Sequence, residues 1–342
     1  MSSGVQPARV GSGQWDHRAL FGPSLAGLAP VSLGEGHTPV VAAPRLGAAL
    51  GVPDLWLKRE DVSPTGSHKA RALSLQSAGL RRSGRAGALS SSGNAAIAAA
   101  AYARAADVPV LVLVSPRTPG VKLRALAAFP GTLLVTPTPI ALLRRAVQVF
   151  GCEDLRPSVH PLAPIAYRGI AAELVAALGP ERPPDAVFVY QSSGATAVGI
   201  AQGFAAGAVP APALHVVTAE PAARGVGELG VGRSRRSGEV RRAVFASGGR
   251  AWQVDRARMG EVQDLAAGFG VGTSWEGVAV LTAIGCAAPD LAGRRVVALL
   301  TGELAQLDRA PAPDPARIDG LTWVETEAEL DAQLGQMGLS PR

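Results

Sequence analysis

Short apolar runs alternate along the chain with longer stretches rich in alanine and leucine, and that alternation predicts strands and helices in turn. Residues 108–114, 132–135, 186–190 and 295–300 are apolar at most positions, as strands buried on both faces are, and 215–218 reads the same way around Val216-Val217. Two shorter runs, Leu55-Trp56-Leu57 and 86–89, read the same way. Helical patterns fall between them at 95–106, 122–128, 140–150, 169–178, 197–206, 259–268 and 275–287. A last amphipathic helix near 325–334 follows a proline-rich break at 311–315. This strand–helix rhythm predicts an α/β protein of two lobes, each a mostly parallel twisted sheet flanked by helices. Residues 26–80 and 162–342 are expected to form the larger lobe and 81–161 the smaller, with 1–25 a flexible N-terminal segment. The Gly-, Arg- and Ser-rich stretch 225–249 reads as a mobile loop region.

Composition narrows the function classes. At 342 residues and 47% hydrophobic, the chain can bury a large core. Its net charge of +6 comes mainly from arginines, clustered at Arg81-Arg82, Arg144-Arg145, Arg235-Arg236 and Arg241-Arg242. These are scattered and come without interleaved aromatics or a nucleic-acid motif, so no nucleic-acid partner is expected. The only cysteines, Cys152 and Cys286, have neither metal spacing nor a disulfide framework, which fits a reducing cytoplasm. No segment has the roughly 18 uninterrupted apolar residues of a membrane span, and residues 1–13 lack the apolar core of a signal peptide.

Candidate chemistry centres on Lys69, in the run Ser63-Pro64-Thr65-Gly66-Ser67-His68-Lys69-Ala70-Arg71. The lysine follows a small-residue turn where a strand gives way to a helix. A partly desolvated lysine has a lowered pKa and can attack an aldehyde to form an imine. Three further turns share that strand-to-helix setting or close a strand. Ser90-Ser91-Ser92-Gly93-Asn94-Ala95 precedes a long alanine helix and offers backbone amides to an anion, with the Asn94 amide beside them. Tyr190-Gln191-Ser192-Ser193-Gly194-Ala195-Thr196 can cradle a phosphate in the same way. Thr301-Gly302, at the end of a buried strand, can hydrogen-bond a heteroaromatic nitrogen. Each has an ordinary alternative: a surface lysine, N-capping, a turn that binds nothing. Their joint occurrence at strand ends is what points to one ligand site.

Taken in this order, and preceded by Leu33-Gly34-Glu35-Gly36-His37-Thr38-Pro39, these motifs resemble the fold type II (tryptophan synthase β-like) class of pyridoxal phosphate enzymes, threonine synthases most nearly. The resemblance runs from about residue 30 to 305. It implies pyridoxal 5′-phosphate as cofactor, with Lys69 as the imine-forming lysine and the proton shuttle at the substrate Cα. Asn94 would contact the cofactor's 3′ oxygen, and Ser192, Ser193, Gly194, Ala195 and Thr196 its phosphate. Thr301 would face the ring nitrogen and His68 would lie near the phosphate. Ser91, Ser92 and Ala95 would grip the substrate carboxylate. The class also implies a homodimer acting on a small amino acid.

Departures from the threonine synthase pattern leave the substrate open. Ala70 stands where the class usually has Asp or Asn, and His68 where threonine synthases have phenylalanine. The region 162–169 keeps almost none of their substrate-binding Asn-Pro-x-Arg and Glu-Gly-Gln-Lys-Thr. The phosphate turn carries serines in place of asparagines. Arg168, Lys122 and Arg224 are candidates to face an anionic leaving group. Three readings follow: a threonine synthase-like lyase, a β-replacement or dehydratase enzyme on a serine or threonine derivative, and a catalytically silent protein that keeps the fold.

Overall fold

The computed structural model describes residues 13–91, 93–118, 120–129, 133–220, 234–303 and 321–342. The described strands, in chain order, are β1 (Val40–Ala42), β2 (Leu55–Arg59), β3 (Gly87–Ser90), β4 (Val110–Val114), β5 (Leu133–Val135), β6 (Glu153–Asp154), β7 (Ala186–Tyr190), β8 (Ala213–Ala219), β9 (Ala251–Val254), β10 (Val296–Leu300) and β11 (Thr322–Trp323). They form a six-stranded sheet, in the order β1-β2-β10-β7-β8-β9, and a five-stranded sheet, β11-β5-β4-β3-β6. Every pairing is parallel except that of β1 with β2. Val, Leu and Ala, joined on β7 by Phe188 and Tyr190, fill both faces of β4, β7 and β10, which are buried along their whole length.

The helices are α1 (Pro44–Ala49), α2 (Lys69–Ser83), α3 (Asn94–Ala106), α4 (Gly120–Ala127), α5 (Pro139–Gln148), α6 (Leu162–Leu178), α7 (Ala195–Ala205), α8 (Ser237–Ala246), α9 (Arg256–Gly268), α10 (Trp275–Ala287) and α11 (Glu327–Gln336). The expected strands and helices are present with ends shifted by a few residues, and α6 begins seven residues before the expected 169. Its first turns hold Ala163, Pro164, Ala166 and Tyr167, all buried, so packing extends a helix that Pro164 hides in the sequence. Strands β1, β6, β9 and β11 are too short or too polar to carry a period of two, and they pass unseen in the pattern.

Three expectations need correction. Residues 237–246, placed in a mobile loop, form α8, because Val240 and Val244 sit one turn apart and are both buried. Residues 13–21, placed in a flexible segment, form a 3-10 turn run that buries Trp15 and Phe21 edge to face, with ring centroids 5.5 Å apart. Residues 321–342 were expected with the larger lobe, yet β11 pairs with β5 of the five-stranded sheet. Arg145 of α5 then holds Glu327 and Asp331 of α11.

Two buried polar groups fix the frame around α2. Arg71, fully buried, makes two-pronged bonds of 2.7–2.8 Å to Glu60 and to Glu173 of α6. Lys58 of β2, also fully buried, donates to Glu173 at 2.5 Å and to the Thr38 carbonyl at 2.6 Å. Burial works against the Glu173 charge, but Arg71 and Lys58 outweigh it and hold its pKa below the ordinary carboxylate range. Glu35, in the glycine-rich 33–39 run, accepts from Ser74 of α2 and Tyr102 of α3, both at 2.7 Å. That run therefore clamps two helices.

Several of the arginines that raise the net charge are also spent internally. Arg81 donates to the Ala29 and Pro30 carbonyls, and Arg236 to those of Pro157 and His160. Among the described residues, no helix is long and apolar enough to cross a membrane.

Candidate active site

Three of the four small-residue turns lie at the carboxyl edge of the six-stranded sheet. In register, Leu300 of β10 stands opposite Arg59 of β2, and β7 flanks β10 on its other side, all parallel. Parallel strands bring their carboxyl ends to one edge, so the loop before Lys69, the turn Ser192–Thr196 and Thr301 converge there. The fourth turn, at 91–95, leaves β3 of the other sheet. A cleft of about 430 Å³ opens between them, and Lys69, Ser91, Ala95, Ser192 and Ser193 line it.

The lysine loop is tied down on both sides. Ser67 bridges Gly302, the Glu303 amide donates to the Gly66 carbonyl, and the His68 amide donates to the Thr301 carbonyl at 3.1 Å. The His68 ring donates from Nδ1 to that same carbonyl at 3.0 Å. Because a carbonyl only accepts, the proton sits on Nδ1. Burial, with Lys69 and Arg71 nearby, pushes the His68 pKa well below its ordinary value despite that bond, so the ring is neutral. Its Nε2 is then a proton acceptor. The ring packs on Tyr167 of α6 with centroids 5.4 Å apart.

Lys69 opens α2 at 9% exposure, and its Nζ has no hydrogen-bond partner among the described residues. Burial lowers its pKa to about 8, with the Glu276 carboxylate at the start of α10 working the other way. Asn94 Oδ1 is also buried without a partner. At the head of α7, Gly194 has φ +82°, and a Cβ there would sit 2.7 Å from Val240 Cγ2. Only glycine fits, and the first amides of α7 have no intrahelical acceptors. Thr196 is buried in that first turn and Thr301 at the end of β10.

Other expected residues lie elsewhere. Ser92 and Arg224 fall outside the described residues. Arg168 donates to Gln202 and to the Leu20 carbonyl, which fastens the N-terminal segment to α6 and α7, away from the cleft. Lys122 lines a separate pocket. Ser90 of the 90–95 run also faces the cleft, as do three residues that the sequence did not single out: Arg156, Ser158 and Ser234. Ser234 donates to the Ser193 carbonyl at 2.5 Å and so braces the serine turn. Glu276 was missed too; only its place in the first turn of a helix marks it in the sequence.

Comparison with known proteins gives this geometry its family. The chain belongs to the pyridoxal-phosphate dependent enzymes, whose family model matches residues 31–302. Threonine synthase of Mycobacterium leprae is 33% identical over 156 residues, 44% of this chain and 43% of that protein. Threonine synthase of Methanosarcina acetivorans is 36% identical over 88 residues, 25% of this chain and 21% of the relative. The matches therefore span less than half the length of these relatives. Among solved structures, the O-acetylserine dependent cystathionine beta-synthase of Helicobacter pylori aligns with a TM-score of 0.67 and 20% identity, covering 81% of this chain and 96% of that one. Maize serine racemase aligns at 0.66 and 18%, covering 80% and 89%. At these identities the structural likeness concerns the fold.

The residues present fit the family's cofactor. Lys69 keeps a buried amine without a partner among the described residues, and such a group is costly unless a ligand satisfies it. At the Gly194 turn the Ala195 amide donates to Ser193 Oγ, and the amides that follow it in the first turn of α7 face no intrahelical acceptor and suit a phosphate.

Proposed function

We propose that this chain is a pyridoxal phosphate-dependent lyase or synthase that eliminates or replaces a substituent at Cβ or Cγ of a small amino acid, in the manner of threonine synthase. The observation that carries the reading is the buried, partnerless Lys69 amine in a cleft walled by the two serine turns. Lys69 would hold the cofactor through its amine, Asn94 the 3′ oxygen, and Ser192, Ser193, Gly194, Ala195 and Thr196 the phosphate, with His68 nearby. When bound, the cofactor supplies an electron sink that makes the substrate's α proton acidic. Lys69 takes and returns that proton; with a pKa of about 8 its amine is partly neutral near physiological pH, as an ordinary lysine is not. Ser91, Ser92 and Ala95 orient the substrate by its carboxylate. Thr301, a neutral hydroxyl, would hydrogen-bond the cofactor's ring nitrogen without protonating it, which would favour elimination and replacement over transamination.

One observation favours a serine or threonine derivative over phosphohomoserine. Residues 162–169, where threonine synthases carry their substrate-binding residues, are the first turns of α6; most pack inside the protein, and Arg168 is committed to Gln202 and Leu20. The five-stranded sheet would serve as the carboxylate-gripping lobe. A cytoplasmic homodimer belongs to the same proposal, supported by the class resemblance and by two unpaired cysteines; light scattering reads its mass.

The test is spectroscopic. Added pyridoxal phosphate gives a visible absorption band that disappears in Lys69→Ala. Phosphohomoserine, phosphoserine, acetylserine and threonine are then assayed side by side. A protein that gains no band with excess cofactor overturns the reading and leaves a silent scaffold.

A further inference from the structure

Beside the cleft lies a second pocket, of about 370 Å³, for which the reading above has no use. Its walls are the 61–66 loop that leads into Lys69, Ile97 of α3, and Lys122 and Ala125 of α4, with exposed Glu303 at the rim. The donors in these walls are unspent. Ser63 is 5% exposed and its hydroxyl has no partner among the described residues; Thr65 Oγ1 is buried and equally partnerless. The Lys122 ammonium makes no ion pair or hydrogen bond among the described residues, and burial lowers its pKa while Glu276 works the other way. Of the two acids in the walls, Asp61 is already gripped by Arg59, whose Nε and Nη2 lie 2.8–3.1 Å from its oxygens.

The pocket adjoins the cleft. Lys122 Nζ lies against Gly93, where a Cβ would be 3.4 Å from it. Gly93 belongs to the turn whose Ser91 and Ala95 line the cleft itself. Buried donors without acceptors cost free energy unless a ligand supplies the acceptors. Two hydroxyls and an ammonium meeting in one hollow match an oxyanion, and Val62, Ile97 and Ala125 offer apolar surface for the carbons that bear it.

We propose that this pocket receives an acidic group, phosphate or carboxylate, at the far end of the amino-acid ligand, with Lys122, Ser63 and Thr65 as its donors. The inference rests on the reading of the cleft as the amino-acid site. It makes Lys122 a specificity-determining residue and the substrate an amino acid whose β substituent is itself acidic.

The experiment titrates the cofactor-loaded enzyme with O-phospho-L-serine, O-succinyl-L-serine and O-acetyl-L-serine and follows its visible spectrum. The acidic ligands should half-saturate the change at least about tenfold lower than the acetyl compound, the worth of one charge-assisted hydrogen bond. Preference for the phosphate compound alone names phosphate; preference for both names any oxyanion. Lys122→Gln should erase the preference, and Lys122→Arg should keep part of it. Equal half-saturation by all three in the wild type, or a preference that survives in Lys122→Gln, overturns the proposal. Calorimetric titration of the same loaded enzyme with inorganic phosphate and with succinate reads the pocket apart from the chemistry. Binding lost in Lys122→Gln supports it even if no amino acid alters the spectrum, in which case only the cleft reading has failed. Binding of both ions unaltered in Lys122→Gln overturns it.

Discussion

Two buried lysines, Lys58 and Lys69, stand eleven positions apart on the same strand–loop–helix unit, with opposite surroundings. Lys58 has a carbonyl and a carboxylate within 2.6 Å; Lys69 has no hydrogen-bond partner. Burial lowers the pKa of both, but for Lys58 Glu60 and Glu173 work against that shift and fix the charge in place. The difference separates structure from chemistry. A satisfied buried cation holds elements together, whereas an unsatisfied one is kept available to react.

The comparison can be broken most severely from the satisfied side. Glu173→Gln removes the carboxylate shared by Arg71 and Lys58, leaves two buried cations with Glu60 as their one remaining carboxylate, and should destabilise the fold by about 3–5 kcal/mol, read by urea unfolding. Lys69→Ala should leave stability within about 1 kcal/mol of wild type, since no bond is lost, while abolishing the visible band of the cofactor-loaded protein. A large loss of stability in that variant would erase the contrast between the two lysines.

Gly194→Ala forces a side chain into a left-handed backbone against Val240. It should cost about 1–2 kcal/mol and raise the concentration of pyridoxal phosphate needed for half-saturation. In the cofactor-free protein, the rate at which pyridoxal phosphate is captured should rise with pH through about 8, because only the neutral Lys69 amine attacks. An unperturbed lysine would place that rise near pH 10.4.

The mildest test lies away from the cleft. His215 stacks on Phe188 with centroids 4.3 Å apart, and its Nδ1 accepts from the Arg250 amide and the Trp252 indole. Burial depresses its pKa to about 4, with Arg250 and Arg294 adding to the shift. Its native pKa lies below the unfolded value, so its stabilising contribution is present above about pH 6.5 and lost as pH falls toward 4. His215→Gln should flatten that part of the stability–pH curve.

What the sequence made legible follows from what each residue does. Runs such as β7 and β10 are buried on both faces, and burial writes itself into composition. Lys69, Ser91 and Ser192 were legible because small-residue turns at strand ends are local signals. Ser234 and Glu276 reach the site by tertiary packing alone, and nothing in their immediate neighbours says so. The 33–39 run was legible as a motif, but its role as a clamp was not, because Ser74 and Tyr102 lie 39 and 67 positions away from Glu35.

The stitching of the lysine loop to the end of β10 has a mechanical consequence. His68 and Thr301 are 233 positions apart, yet backbone and ring bonds join them, and Ser67 and Glu303 close the seam on either side. The floor of the cleft is thus one welded piece in which Lys69 and Thr301 hold a fixed separation. Any closing over a substrate falls to the opposite wall, the turn at 91–95 and the five-stranded sheet behind it. Hydrogen exchange would register this as slow amides at His68 and Glu303, which donate to the Thr301 and Gly66 carbonyls; fast exchange at both would refute it. The enzyme on this view works like a vice with one fixed jaw.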